Sequence, residues 1–189
     1  MGRPMTFETD TAIDRAMAVF WRSGYAGTTP QALLDELGIG KGSFYNTFES
    51  KHKLFTAALE RYKDKRIVFL GEVFGPPGPV RDRLEFVLHE LSGLDDHKQG
   101  CLMVNSVTEL AQDDESVQKI ADDLFTGIEA AFRDVVERGR ESGEFSRTTD
   151  PQRAAASLLT TLIGASVLLK LGSDPARAVS ALHDAVESL

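Results

Sequence analysis

One short run holds most of the chemistry legible in this chain: Lys41, Gly42, Ser43, Tyr45, Asn46 and Thr47. Its ammonium, hydroxyl and amide groups are those that bond phosphate oxygens and base edges. Phe44 and Phe48 break the run at i, i+4 spacing, so on a helix the two rings share one face and the polar side chains take the remaining surface. A DNA major groove calls for such a surface, with close approach, donors and acceptors, and no bulky aliphatics.

Other chemistries fail on spacing. Gly38, Gly40 and Gly42 could bring backbone N–H groups to an anion, but they complete neither GxGxxG nor a GxxxxGK loop followed by Ser or Thr, and no strand precedes them. The histidines, His52, His89, His97 and His183, are scattered. His89 and Glu90 do not complete HExxH, because Gly93 stands where the second histidine belongs. His89 also projects opposite the apolar stripe of its helix and reads as solvated. No metal site and no Ser, His and Asp set can be assembled, so the chain is expected to be no enzyme and to need no cofactor. Cys101, the single cysteine, reads as a buried thiol rather than a redox sensor. Asn105, Thr108 and Glu109 form a polar face opposite Met103, Val107 and Leu110, which suits solvent or hydrogen-bonded packing at the junction with the N-terminal unit better than direct contact with a ligand.

The elements that position the polar run follow from periodicity. Ala12, Ile13, Ala16, Met17, Phe20 and Trp21 recur at three- and four-residue intervals, giving a first helix from about Thr9 to the stop signal at Gly24. Thr28 or Thr29 caps a second, short helix with Pro30 in its first turn, ending near Leu37. Gly38 permits the left-handed turn into a third helix, about Lys41 to Phe48. With Ser50 as cap, a fourth runs from Lys51 into the seventies, until Gly75, Pro76, Pro77, Gly78 and Pro79 end it. Five more are expected: about Val80 to Ser92, Cys101 to Gln112, Ser116 to Ser142, and two opened by Asp150-Pro151 and Asp174-Pro175. A polar loop, GLDDHKQG at 93–100, separates the fifth and sixth. No strand-like alternation and no internal repeat appears, so the chain reads as all-α.

Composition bounds the rest. The 189 residues suffice for one or two compact units, and 42% hydrophobic with 26% charged residues is ordinary for a globular protein. The net charge of −8 hides a split: residues 1–66 hold ten Lys/Arg against eight Asp/Glu, whereas residues 67–189 hold eleven against twenty-one. A protein that touches DNA with one end only would carry its charge this way. The N-terminus lacks an apolar signal region, and a lone cysteine fits a reducing, cytoplasmic setting. The apolar run Leu158 to Leu171 is shorter than the roughly 20 residues of a membrane span. It covers nearly the whole circumference of its helix, which leaves two readings, a central core helix or a dimer-forming one paired with the last helix. Most phenylalanines read as core. Phe69, Phe86, Phe125 and Phe132, with Met103, are candidates to line a cavity for a hydrophobic or aromatic molecule.

Phe20, Gly24, Tyr25, Thr28, Thr29, Gly38, Ile39, Lys41, Gly42, Ser43, Tyr45, Phe48, Ser50, Lys51, Leu54 and Phe55 appear in an order that resembles the TetR family of bacterial transcriptional regulators, over about residues 9–56. The resemblance implies a helix-turn-helix DNA-binding domain at 1–50 and a ligand-binding and dimerisation domain at 51–189, about nine helices in all. It implies a homodimeric repressor on palindromic double-stranded operator DNA, released by a small-molecule effector. The third helix would enter the major groove with Lys41, Gly42, Ser43, Tyr45 and Asn46, while Thr29, Gln31, Tyr45, Thr47 and Lys51 would hold the DNA around it. The last two helices would form the dimer through Leu158, Leu162, Val167, Leu182 and Val186. Two departures stand out: Gly40 replaces a common capping Ser, and Leu34 and Leu37 replace small Ala.

Overall fold

The computed structural model describes residues 9–92 and 99–189. Residues 1–8, and residues 93–98 of the expected loop with His97 among them, lie outside the described residues. The described chain is helical without strands: α1 Thr9–Gly27, α2 Pro30–Leu37, α3 Lys41–Phe48, α4 Lys51–Phe74, α5 Arg81–Ser92, α6 Leu102–Leu110, α7 Glu115–Ser142, α8 Pro151–Lys170 and α9 Pro175–Glu187. The caps read from sequence act locally. Thr29 accepts from the Ala32 amide, Ser50 from Lys53, Asp150 from Gln152 and Arg153, and Asp174 from Ala176. Helix α5 has its N-terminus served from elsewhere: Glu144 accepts from the Val80 and Arg81 amides at 2.8 and 3.1 Å. Burial raises the Glu144 pKa, but those two amides with Ser142 and Arg81 outweigh it and hold it below the usual value.

The body is built on α7 and α8. Helix α7 lays Val117, Ile120, Leu124, Ile128, Phe132, Val135 and Val136 against α4 and α8. Helix α8 is, among the described residues, the one helix long and apolar enough by composition to cross a membrane, because it begins seven residues before the run counted from sequence. The fold places it in the core, packed on α7 and α9, with Ala155, Leu158, Leu162, Ala165 and Leu169 inward. Most residues expected at a subunit interface lie inside the single chain. Leu158, Leu162, Leu182 and Val186 are at most 5% exposed in the single chain, since their side chains fill its own core. Only Val167 of that set is outward, at 49% exposed, on a face shared with Ser157, Thr160, Gly164 and Leu171. Helix α8 thus has a large-residue face in the core and a small-residue face exposed on the single chain.

The first three helices are tied to α4, mainly through α1. Phe20 meets Phe55 edge-on at 4.9 Å between ring centroids, and Tyr25 lies 4.8 Å from the same ring. On the surface of the joint, Asp14 of α1 accepts a bidentate pair from Arg61, at 2.6 and 2.7 Å, and a third bond from Lys65 at 2.6 Å. The Arg61 bonds are the main cause that holds the Asp14 carboxyl at about 2, against the opposing effect of burial and with help from Lys65. A carboxylate whose folded pKa lies below its ordinary ~3.9 stabilises the fold fully above about pH 4 and progressively less as pH falls toward the folded value. Asp14→Asn should therefore cost about 1 kcal/mol at pH 7, a figure reduced for its partial exposure. Urea denaturation midpoints for the two proteins should differ by a constant amount from pH 7 to 5 and converge between pH 4 and 2.

Candidate nucleic-acid interface and the cavity of the body

Helices α2 and α3 meet across a corner that two residues make possible. Gly38 takes φ 67°, and its amide and that of Ile39 both return to the Leu34 carbonyl. Ile39 and Leu37 are buried, and Phe44 and Phe48 pin α3 at 0% and 6% exposed. Leu34, larger than the Ala common there, is only half-buried, so the added bulk sits at the margin of the packing. Gly40 caps α3 without a side-chain bond, as its lack of a hydroxyl requires.

The outward face of α3 carries the polar run intact. Lys41, Gly42, Ser43, Tyr45, Asn46 and Thr47 are all exposed. Among the described residues none of the polar side chains in that set makes a hydrogen bond or ion pair within the chain, and nothing lies within 4 Å of a Cβ built on Gly42. Donors and acceptors without internal partners, around a glycine that fills no internal gap, form a surface ready for an external polar partner. The flanking residues are less free. Thr29 is the α2 cap, and Gln31 donates to Asp35 at 2.8 Å on its own helix.

Lys51, expected to hold phosphate, has bonds inside the chain. Its ammonium donates to the carbonyls of Tyr25 and Thr28, both at 3.0 Å, and lies 4.0 Å from the centre of the Tyr25 ring. It holds the corner between α1 and α2, with most of its bonding capacity taken up there. Next to it, Glu49 ends α3 with φ 62°, a left-handed conformation uncommon for a residue with a side chain, so the link between α3 and α4 carries backbone strain.

Behind this head, the body has a partly open cavity of about 20 Å³ lined by Tyr62, Arg66, Cys101, Val104, Leu124, Phe125, Leu159, Leu162 and Ser166. It is room for about one water molecule. Of the side chains expected around a ligand, only Phe125 borders it. Met103 and Phe132 are fully buried in the packed core, Phe69 is half-buried against Phe86, and Phe86 is 49% exposed beside a groove between α5 and α9. Tyr62, Arg66 and Cys101 join the lining without a signal in the sequence that singles them out. Tyr62 falls on the apolar stripe of α4, and nothing in sequence brings Cys101 to it, yet the Tyr62 hydroxyl and the Cys101 sulfur are 3.4 Å apart. Burial, and after it the neighbouring sulfur, pushes the Tyr62 hydroxyl far above its ordinary pKa, so it stays protonated and able to donate. His183 is less isolated than its sequence position suggests. Its Nδ1 is 3.7 Å from Glu85, and Glu187 completes a possible ligand trio, but Arg81 already pairs with Glu187 at 2.9 Å and the group lies in the open.

Comparison with known proteins agrees with this division into head and body. Residues 12–58 match the bacterial regulatory proteins of the tetR family, and residues 91–185 match the tetracyclin repressor-like C-terminal domain. An uncharacterised HTH-type transcriptional regulator of Bacillus subtilis, YezE, is 29% identical over 92% of this chain and 92% of its own. The HTH-type transcriptional repressor ComR of Escherichia coli is 26% identical over 91% and 84%. Among solved structures, a cysteine mutant of the TetR family transcriptional regulator CifR, complexed with 26-bp double-strand operator DNA, superposes with a TM-score of 0.82 at 28% identity, over 98% of this chain and 99% of that one. With a helix-turn-helix of the right build at one end and a C-terminal domain matched over half the chain, the protein belongs to the TetR family of transcriptional regulators.

Proposed function

We propose that the chain is a homodimeric repressor, active in a bacterial cytoplasm, that reads a palindromic operator with two copies of α3 and leaves it when a small hydrophobic or aromatic molecule enters the body. The observation that carries this reading is the unpartnered polar face of α3 around Gly42. Its exposed donors and acceptors suit groove contacts, and in this reading Lys41, Ser43, Tyr45 and Asn46 go toward bases and Thr47 and the α2 N-terminus toward phosphates. The operator complex described for CifR and the repressor name of ComR support the same reading. Two half-sites are then set about one helical turn apart by the dimer axis. The outer face of α8 suits that dimer, because Ser157, Thr160 and Gly164 are small enough for a second helix to approach closely, while Val167, Leu171 and Val179 offer apolar surface to bury.

The effector acts through the cavity. A space of about 20 Å³ excludes any ring-sized molecule, so such a molecule binds only when a wall moves, and binding favours the moved state. Cys101 stands in that wall. Trp21, the single tryptophan, rests edge-on against Tyr62 at 5.4 Å and donates to the Gly100 carbonyl at 2.9 Å, so its emission reports on the same wall.

Mobility shift on DNA flanking the protein's own gene, as a function of salt, tests the whole reading. Binding should be sequence-selective and weaken steeply with salt, and its absence at every site would overturn the assignment. Within that assay, Asn46→Ala should cost about 1–3 kcal/mol on the preferred operator and blur preference at one position, and Lys41→Ala should weaken binding and lower the salt slope by about one. Unchanged preference in both would remove α3 from the groove. For the dimer, Val167→Glu should give a monomer by light scattering without loss of helicity, because the side chain is exposed in the single chain. A dimer that persists would place the interface elsewhere.

A further inference from the structure

Cations crowd the middle of α4, where Arg61, Lys63, Lys65 and Arg66 stand close together. Most of them are paired. Arg61 and Lys65 go to Asp14 of α1, and Lys63 goes to Glu60 one turn earlier on its own helix. Arg66 differs, since among the described residues no carboxylate lies within ion-pair distance of it. Its half-buried guanidinium rests 4.9 Å from the centre of the Tyr62 ring, one turn back, and both side chains line the cavity of the body.

Tyr62 brings a second donor to the same place. Its hydroxyl is buried beside the Cys101 sulfur at 3.4 Å, a weak acceptor. Burial keeps that hydroxyl protonated, and Arg66, which acts in the opposite sense, does not reverse this. Ser166 offers nothing comparable, because its hydroxyl already donates to the Ile163 carbonyl at 2.8 Å. The other walls are apolar: Leu124, Phe125 and Ile128 come from α7, and Leu159, Leu162 and Ile163 from α8. The cavity therefore has a cationic, hydrogen-donating side on α4 and a hydrocarbon side on α7 and α8.

These two sides call for different parts of one molecule. A carboxylate matches the guanidinium in charge and in its paired oxygens, and keeps lone pairs for the Tyr62 hydroxyl. An amide offers a single neutral acceptor, and a hydrocarbon offers none. Residues 67–189 hold eleven Lys/Arg against twenty-one Asp/Glu, so the average field of the body does not favour an anion and selectivity for one must come from a local group.

We propose that the body binds an amphiphilic organic anion, a carboxylate carried on an apolar ring or chain, with its head on Arg66 and Tyr62 and its hydrocarbon between α7 and α8. This names the chemical class of the effector and rests on the reading of the cavity as the effector site. As for any molecule larger than water, entry requires the wall to move.

The probes are 3-phenylpropanoate and octanoate, each beside its own primary amide, so that the hydrocarbon is held constant and the charge alone changes. Binding to the full-length protein is read by calorimetry and by Trp21 emission. At least one acid should bind about tenfold more tightly than its amide. Arg66→Gln should bring that ratio below about threefold, Arg66→Lys, which keeps the charge without the fork, should leave an intermediate ratio, and Tyr62→Phe should lower it severalfold. An arginine that only covers the Tyr62 ring would, when replaced, lower the thermal midpoint and weaken acid and amide alike, and that unchanged ratio would overturn the proposal. So would equal binding of acid and amide by the parent chain, or no binding of either acid. The regulator reading fails in a different way. An acid whose binding depends on Arg66 but which leaves a sequence-selective operator complex intact would keep the anion site and remove its role in release. Release by acid and amide at the same concentration would keep the regulator reading and overturn the anion class.

Discussion

Where α1 gives way to α2, the chain must turn without losing the hydrogen bonds that a helix would have supplied, and the rest of the head depends on how that corner is satisfied. Unpaired backbone groups are costly in any packed joint. Here the carbonyls of Tyr25 and Thr28 go to the Lys51 ammonium, the carbonyl of Gly24 goes to the Thr28 hydroxyl, and the amides of Tyr25 and Ala26 go to Glu109. Residues far apart in sequence therefore converge on four residues of backbone. Because α2 begins immediately after, and α3 is fixed to α2 through the Gly38 turn and the Phe44 packing, the orientation of the exposed polar face is inherited from this corner.

The same dependence explains why α3 can be so sparsely built. It is eight residues long, lacks a side-chain cap and contains a glycine, all of which weaken an isolated helix. Its stability comes from burying Phe44 and Phe48, not from its own propensity. That leaves its remaining positions under no packing constraint, so they are free to be chosen for an external partner. Lys51 shows the opposite case: a cation at the expected edge of the DNA surface is committed inward, because two backbone carbonyls and a ring face surround its ammonium.

What can be read in the sequence follows from which interactions are local. Caps, breakers and i, i+4 stripes act within a few residues, so the helices and the exposed face of α3 are legible from the order of residues alone. Gly24 reads as a stop, and it is a break, but one further turn follows before Gly27 because Glu109 supplies the lost amide acceptors. Contacts between distant helices are not legible in this way. The stripe Leu158, Leu162 and Leu169 says that α8 buries a face, not whose core receives it; here the chain's own α7 and α9 do, which leaves the small residues outward. Likewise Met103, Phe132 and Phe125 have the same composition-level claim on a cavity, and only the packing separates the one that borders it from the two that fill core. The polar face of α6 reads as solvated or as a junction from its position opposite an apolar stripe; Glu109 bonds to α1, whereas Asn105 bonds within the body, to Lys170.

The size of the cavity sets how strongly an effector could act on the head. A molecule equally at home in both states shifts nothing, however tightly it binds, and a hundredfold loss of operator affinity requires about 2.7 kcal/mol of differential binding. In this state the space holds about one water, so any larger molecule would bind there only after the wall moved. The limit on regulation is then the cost of opening the wall, which is subtracted from the effector's own affinity. Part of that cost arises where α6 lies on α1, at the Gly100 carbonyl just before the helix and at the Glu109 carboxylate, bonds that are exposed or half-buried and individually modest. The same helix is also held by apolar packing, since Leu102 and Met103 are buried in the core, so opening the wall must offset both kinds of contact.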